Sequence, residues 1–132
     1  MKSKGFTLIE ITVVIAVIAI LATIAVQQFI AYQEKAKVTN FALSIVSACA
    51  KDAIGDCISR MVSSPTNYSL NELPNCSNVQ TAMGYVTVLL DGQYTCLPQG
   101  IATGSVKGVI SNLSRYTAVC DFQENSLKCY VR

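Results

Sequence analysis

Six cysteines, Cys49, Cys57, Cys76, Cys96, Cys120 and Cys129, and one glutamate inside an apolar run, Glu10, are the residues whose chemistry is most constrained by position. An even number of thiols within about eighty residues forms disulfides where the segment carrying them leaves the cytoplasm. Metal binding is the competing chemistry. The chain has no histidine and no C-x-x-C pair, so zinc and c-type haem sites lack their ligand spacing, and neither a metal nor another cofactor is expected. Geometry limits the pairing. Cys49 and Cys57 are eight residues apart on a segment that reads as helix, which sets their Cα atoms about 12 Å apart. A disulfide spans roughly 4.4–6.8 Å, so each must reach a loop or a strand instead. Cys120 and Cys129 stand symmetrically about Glu124-Asn125 and suit a cross-strand bridge. Cys76 and Cys96 are left for the helix; Cys57–Cys76 is the shorter closure, with Cys49–Cys96 remaining.

No catalytic constellation accompanies them. Histidine is absent, and neither the acidic residues nor the serines fall into a recognisable acid–base or nucleophile motif. The chain reads as a structural protein, not an enzyme.

Glu10 sits in a segment of another kind. From Phe6 to Val26 it is the only charged residue in twenty-one positions. As a helix those residues span about 32 Å, enough to cross a bilayer core. Lys2 and Lys4 precede the run and should hold the N-terminus in the cytoplasm. A secretory signal peptide fits poorly, because its apolar region is usually ~7–15 residues and a small-residue cleavage site follows it. Here "VQQFIAYQEKAK" continues the helix, so the anchor is expected to stay. With Lys2 and Lys4 set aside, the ten basic residues fall to eight, against eight acidic ones. That balance gives no support for nucleic-acid binding.

The organisation follows from these elements. From Val26 to Met61 there is no proline, and Phe29, Tyr32, Ala36, Leu43, Val46 and Ala50 recur at helical steps. One helix over about residues 6–61 is expected, apolar throughout 6–26 and amphipathic over 27–61. Residues 62–83 carry two prolines and four asparagines and read as a connecting loop. Residues 84–132 read as about four antiparallel strands. "YVTVLL" (85–90) runs into Asp91-Gly92, a hairpin signal, and "QYTCL" follows. Gly100, Gly104 and Gly108 punctuate a weaker strand to Ile110, and "RYTAVC" and "LKCYV" form a second hairpin about Asp121–Ser126. The fold class is α+β, with the amphipathic half of the helix packed on one face of the sheet.

"KGFTLIEITVVIAVIAILATIA" (residues 4–25) resembles the N-terminal signature of type IV pilins and pseudopilins, and the likeness extends to "AYQEKAK" at residue 37. The resemblance implies a leader of residues 1–5, cut by a prepilin peptidase between Gly5 and Phe6. Phe6 then becomes the N-methylated first residue. It also implies that Glu10 pairs with the Phe6 amino group of a neighbouring subunit and fixes axial register in a filament. The alternative is a carboxylate that snorkels to the interface from a shallow position. The layout of helix, loop, four-stranded sheet and C-terminal cysteine pair is likewise similar to the pilin fold.

The function this implies is a subunit of a type IV pilus, a homo-oligomeric helical filament for adhesion, motility or DNA uptake. It would be held in the inner membrane until the assembly machinery moves it to the surface. A pseudopilin of a type II secretion system is the alternative, and a minor pilin the third; the disulfides favour a pilin, because major pseudopilins usually hold that region with calcium. Phe29, Tyr32 and Phe41 read as packing residues and not as an electron path. The sequons at Asn67, Asn75 and Asn112 are assigned no role. Family members commonly carry glycine and proline where this chain has Ala19 and Gln27, so an unbroken helix is expected over residues 16–30.

Overall fold

The computed structural model describes residues 5–80 and 87–132. Lys2 and Lys4, and the first two residues of the strand expected over 85–90, lie outside them. The chain divides into two units, Met1–Gln33 and Glu34–Arg132.

The first unit is helical. Helix α1 covers Leu8–Lys37 and none of its residues is buried. It is long and apolar enough to cross a membrane. Its two threonines return their hydroxyls to the backbone, Thr12 Oγ1 to Ile9 O at 2.9 Å and Thr23 Oγ1 to Ile20 O at 2.7 Å. Neither therefore brings an unpaired donor into an apolar medium. Ala19 and Gln27 lie inside unbroken α-helix.

The second unit packs the helical residues from Val38 onward against a sheet. A π turn over Val38–Ala42 leads directly into α2, Leu43–Arg60. Spacing explains the wider turn. Val38, Ala42, Val46 and Ala50 recur every four residues, and all four are fully buried. In a pure α-helix that spacing drifts by about 120° over the three steps. One turn with i→i+5 bonding, seen in Leu43 N–H donating to Val38 O, takes up most of the drift. The buried stripe begins at Val38, so Phe29 and Tyr32, expected on it, are instead exposed. Helix α2 ends at Met61, whose φ of 42° is left-handed.

Among the described residues the sheet has six strands where about four were expected: β1 (Thr66–Ser69), β2 (Val79–Gln80), β3 (Thr87–Leu97), β4 (Ile101–Ile110), β5 (Leu113–Gln123) and β6 (Ser126–Val131). The order is β1-β3-β4-β5-β6, with β2 also beside β3 and every pairing antiparallel. The two additional strands fall within the expected loop. Each is short and exists by pairing with β3: β1 across a long stretch of chain, with Tyr68 opposite Tyr94, and β2 with the nearby start of β3, Val79 opposite Val88.

The hairpin expected at Asp91-Gly92 is absent; both residues lie inside β3, opposite Lys107 and Val106. Register decides this. A two-residue hairpin there would put Gln93 and Thr95 on the face shared by Val88 and Leu90. The continuous strand instead buries Tyr94 and Cys96 beside Val88. The real turn is Pro98–Gly100, where Gln99 and Gly100 take φ of 70° and 73°. Strand β4, expected to be weak, is central in the sheet. Its glycines admit close neighbours: a Cβ on Gly108 would collide with Cγ2 of Val46. The second hairpin turns on Glu124-Asn125, both with positive φ, in the manner of a type I′ turn. Asn125 also ties the start of β4, accepting from Ala102 N–H at 2.7 Å and donating to Gly100 O at 3.1 Å.

Candidate assembly site and the disulfide-bonded domain

Gly5 and Phe6 precede α1 and belong to no regular element. Phe6 is 84% exposed, and no atom lies within 4 Å of where a Cβ on Gly5 would stand. The helix starts on Thr7, whose carbonyl accepts the first helical bond from Ile11 N–H. Thr7 N–H and Thr7 Oγ1 both donate to Glu10 Oε2 at 2.8 Å, and Glu10 N–H donates back to Thr7 Oγ1 at 3.4 Å. This is a capping box, and it satisfies donors that a helix N-terminus leaves free. The helix dipole also favours a carboxylate in the first turn. Both bonds to the carboxylate fall on Oε2, which leaves Glu10 Oε1 open among the described residues. Thr7 was not singled out from the sequence, although Thr-x-x-Glu before an apolar run is the ordinary signal for such a cap.

In the second unit the three disulfides are Cys49–Cys76, Cys57–Cys96 and Cys120–Cys129. The pairings Cys57–Cys76 and Cys49–Cys96 expected from loop length are therefore corrected. Closing 19 residues in place of 27 favours the shorter loop by only about 0.3 kcal/mol, too little to select a partner. The backbone path selects instead. Thr66 pairs with Cys96, which brings the end of β3 to the end of α2, beside Cys57. The chain then climbs back along α2. Asp52 Oδ2 accepts from Asn75 N–H at 3.1 Å and Asn75 Nδ2 at 2.8 Å, so the turn Pro74–Cys76 stands beside Cys49.

Two polar clusters hold the rest. Asp56 accepts from Tyr94 Oη at 2.8 Å and from Arg60 Nε at 2.6 Å, and Arg60 lies 4.5 Å over the Tyr68 ring. Burial, with the hydrogen bond to Asp56, pushes the Tyr94 phenol well above its usual range. On β5, hydrogen bonds from Ser105 and from Tyr130 Oη, the latter at 2.8 Å, hold the Asp121 carboxyl below its usual range. Sequence alone did not mark these clusters, since Tyr94 meets Asp56 across 38 residues. Among the described residues no group of three or more His, Cys, Asp or Glu stands together to hold a metal ion.

Residues 1–26 match the family model of the prokaryotic N-terminal methylation motif. No curated protein and no solved structure matches the chain.

Proposed function

From that motif, which is the type IV pilin signature and supports a type IV pilin or pseudopilin-like protein, we propose that this chain is the structural subunit of a type IV pilus. It works by packing and not by catalysis. A prepilin peptidase cuts between Gly5 and Phe6 and the new Phe6 amine is methylated. The inner membrane holds the subunit by α1, N-terminus cytoplasmic, until the pilus machinery extracts it into a filament of identical copies.

One observation carries this reading: an unbroken apolar helix without a buried residue, opening on Phe6 and Glu10, precedes a domain that closes its own core. Such a surface needs lipid first and other helices afterwards. Glu10 then accepts from the Phe6 amine of the neighbouring subunit through its open Oε1. A charge-assisted bond of that kind in a dry filament core selects one axial register over its alternatives.

Purified surface filaments test the proposal. Their main band should begin at Phe6, carry one N-methyl group and match this chain by mass spectrometry. Absence of the chain from pili, with accumulation in a type II secretion mutant, would favour the pseudopilin. Recovery as a trace component would favour a minor pilin.

A further inference from the structure

We propose that this chain is a substrate of an extracytoplasmic dithiol–disulfide isomerase, because two of its disulfides interleave. Cys49 joins Cys76 and Cys57 joins Cys96, so neither bond connects cysteines consecutive in the chain. Cys120–Cys129 does. The inference rests on the extracytoplasmic reading above, in which the segment after α1 crosses the membrane and Cys49 and Cys57 meet an oxidant first.

At that moment nothing favours the native partners. The face of α2 that carries Cys49 and Cys57 is buried against strands β3–β6, which lie between Thr87 and Val131 and emerge last. Without that surface α2 lacks the packing of its amphipathic face, which supplies most of a helix's stability in a protein. The flexible segment closes its short loop in about 10–100 ns. Cys76 follows Cys57 by nineteen residues, which takes about 1–4 s at the pace of synthesis. Cys49–Cys57 is therefore the first bond within reach. It is incompatible with α2, which holds the two Cα atoms about 12 Å apart, beyond the reach of a disulfide.

The chemistry balances without a cofactor. A protein disulfide of the compartment oxidises Cys49 and Cys57, taking two electrons and two protons and becoming a dithiol. The isomerase thiolate attacks Sγ of Cys49, forming a mixed disulfide and releasing Cys57 as thiolate. The Cys76 thiolate then attacks Sγ of Cys49, which forms Cys49–Cys76 and returns the isomerase thiolate. No electrons are gained or lost in the exchange. Cys57 and Cys96 are joined by a second equivalent of the oxidant, and Cys120 and Cys129 by a third.

The full chain is expressed in cells with and without their extracytoplasmic disulfide isomerase, pulse-labelled, trapped with an alkylating agent and mapped without reduction. Cells lacking the isomerase should show a several-fold loss of native pairing and accumulate a Cys49–Cys57 peptide. The double variant Cys120→Ser/Cys129→Ser keeps the interleaved pairs and should show the same loss. Cys49→Ser/Cys76→Ser leaves only consecutive partners and should pair equally well in both strains. If that variant is degraded, Cys57→Ser/Cys96→Ser makes the same comparison. Equal native pairing of the wild type in both strains, with no Cys49–Cys57 peptide in the pulse, would overturn the proposal. Six free thiols in both strains would instead overturn the extracytoplasmic reading on which it stands.

Discussion

Thr7 and Glu10 bond each other in both directions at the start of α1, two bonds running to the Glu10 carboxylate and one back to the Thr7 hydroxyl. One oxygen of the carboxylate is thus satisfied within its own chain, and the other stays open among the described residues. Replacing Glu10 with Ala should leave the domain folded and the helix inserted, since removing a carboxylate helps insertion. Filament yield should collapse for want of the partner of Phe6. Thr7→Val removes the hydroxyl but not the backbone donor, so its loss should be smaller. Sheared filaments weighed against membrane-fraction subunit measure both, and wild-type piliation of Glu10→Ala would sink the register role.

Gly108 and Val46 give a test of how closely helix and sheet approach. A methyl group on Gly108 would meet Val46 Cγ2 in hard contact, with Leu90 Cδ2 and Val88 Cγ1 at 3.4 Å. Gly108→Ala should cost about 1–3 kcal/mol, the usual range for overpacking a tight core. Val46→Ala removes the obstructing methyls. The double variant should therefore lose less stability than the sum of the two single changes, measured by urea unfolding of the oxidised protein.

The helix was legible from the absence of proline and the apolar spacing, and Cys120–Cys129 from the symmetry of one turn. What escaped depends on contacts across long stretches of chain. Asp91-Gly92 is a strong local turn signal, yet burial of Tyr94 and Cys96 outweighs it. Strand β1 has little strand character of its own and is held by pairing with β3. The partners of Cys49 and Cys57 depend on the chain doubling back along α2, which leaves no trace in spacing. Thr7 is different, for Thr-x-x-Glu before an apolar run is a local capping signal that needs no distant contact.

The disulfides should differ in worth. In the chain-entropy account, stabilisation grows with the logarithm of the closed loop. The bonds span 27, 39 and 9 residues. Cys57→Ser/Cys96→Ser should therefore cost about 1 kcal/mol more than Cys120→Ser/Cys129→Ser. Denaturant midpoints of the two variants, compared with the wild type, check the order; a reversed order would show that native packing around Cys120–Cys129 outweighs closure entropy.

Asp121 predicts an acid limb. Hydrogen bonds from Ser105 and Tyr130 hold its folded value below the ordinary one. As pH falls, the unfolded chain takes up the proton first, so the stability Asp121 contributes is complete above about pH 4 and is lost below it. Asp121→Asn cannot titrate, and its stability should fall less steeply between neutral pH and the acid side of 4. Parallel curves for the two proteins across that interval would show that Asp121 contributes nothing to the acid limb.

Ala19 and Gln27 bear on what the helix does once it is assembled. Type IV pilins, which residues 4–37 resemble, often lose the helix in the filament between a glycine and a proline aligned with these positions. Here Ala favours helix over Gly by about 0.8–1.0 kcal/mol, and Gln over Pro by roughly 3. Gln27 also restores a backbone N–H that proline lacks. In the subunit α1 runs unbroken through both positions. An unwound stretch must find new partners for its backbone groups without water, which adds to the cost of melting in a filament core. Against these terms stands helix packing, which can favour a shorter or longer rise. The local terms sum to about 4 kcal/mol per subunit relative to a chain with both breakers, a large margin for one segment to overcome. The filament should therefore show less melting than those of relatives with the breakers. A filament map at side-chain resolution checks this directly. Extended backbone between Ala19 and Gln27 would mean that packing between subunits drives the unwinding and the local breakers do not. Introducing Ala19→Gly together with Gln27→Pro should then change nothing, whereas on the present argument it should open the helix at that point and make the filament more extensible under force.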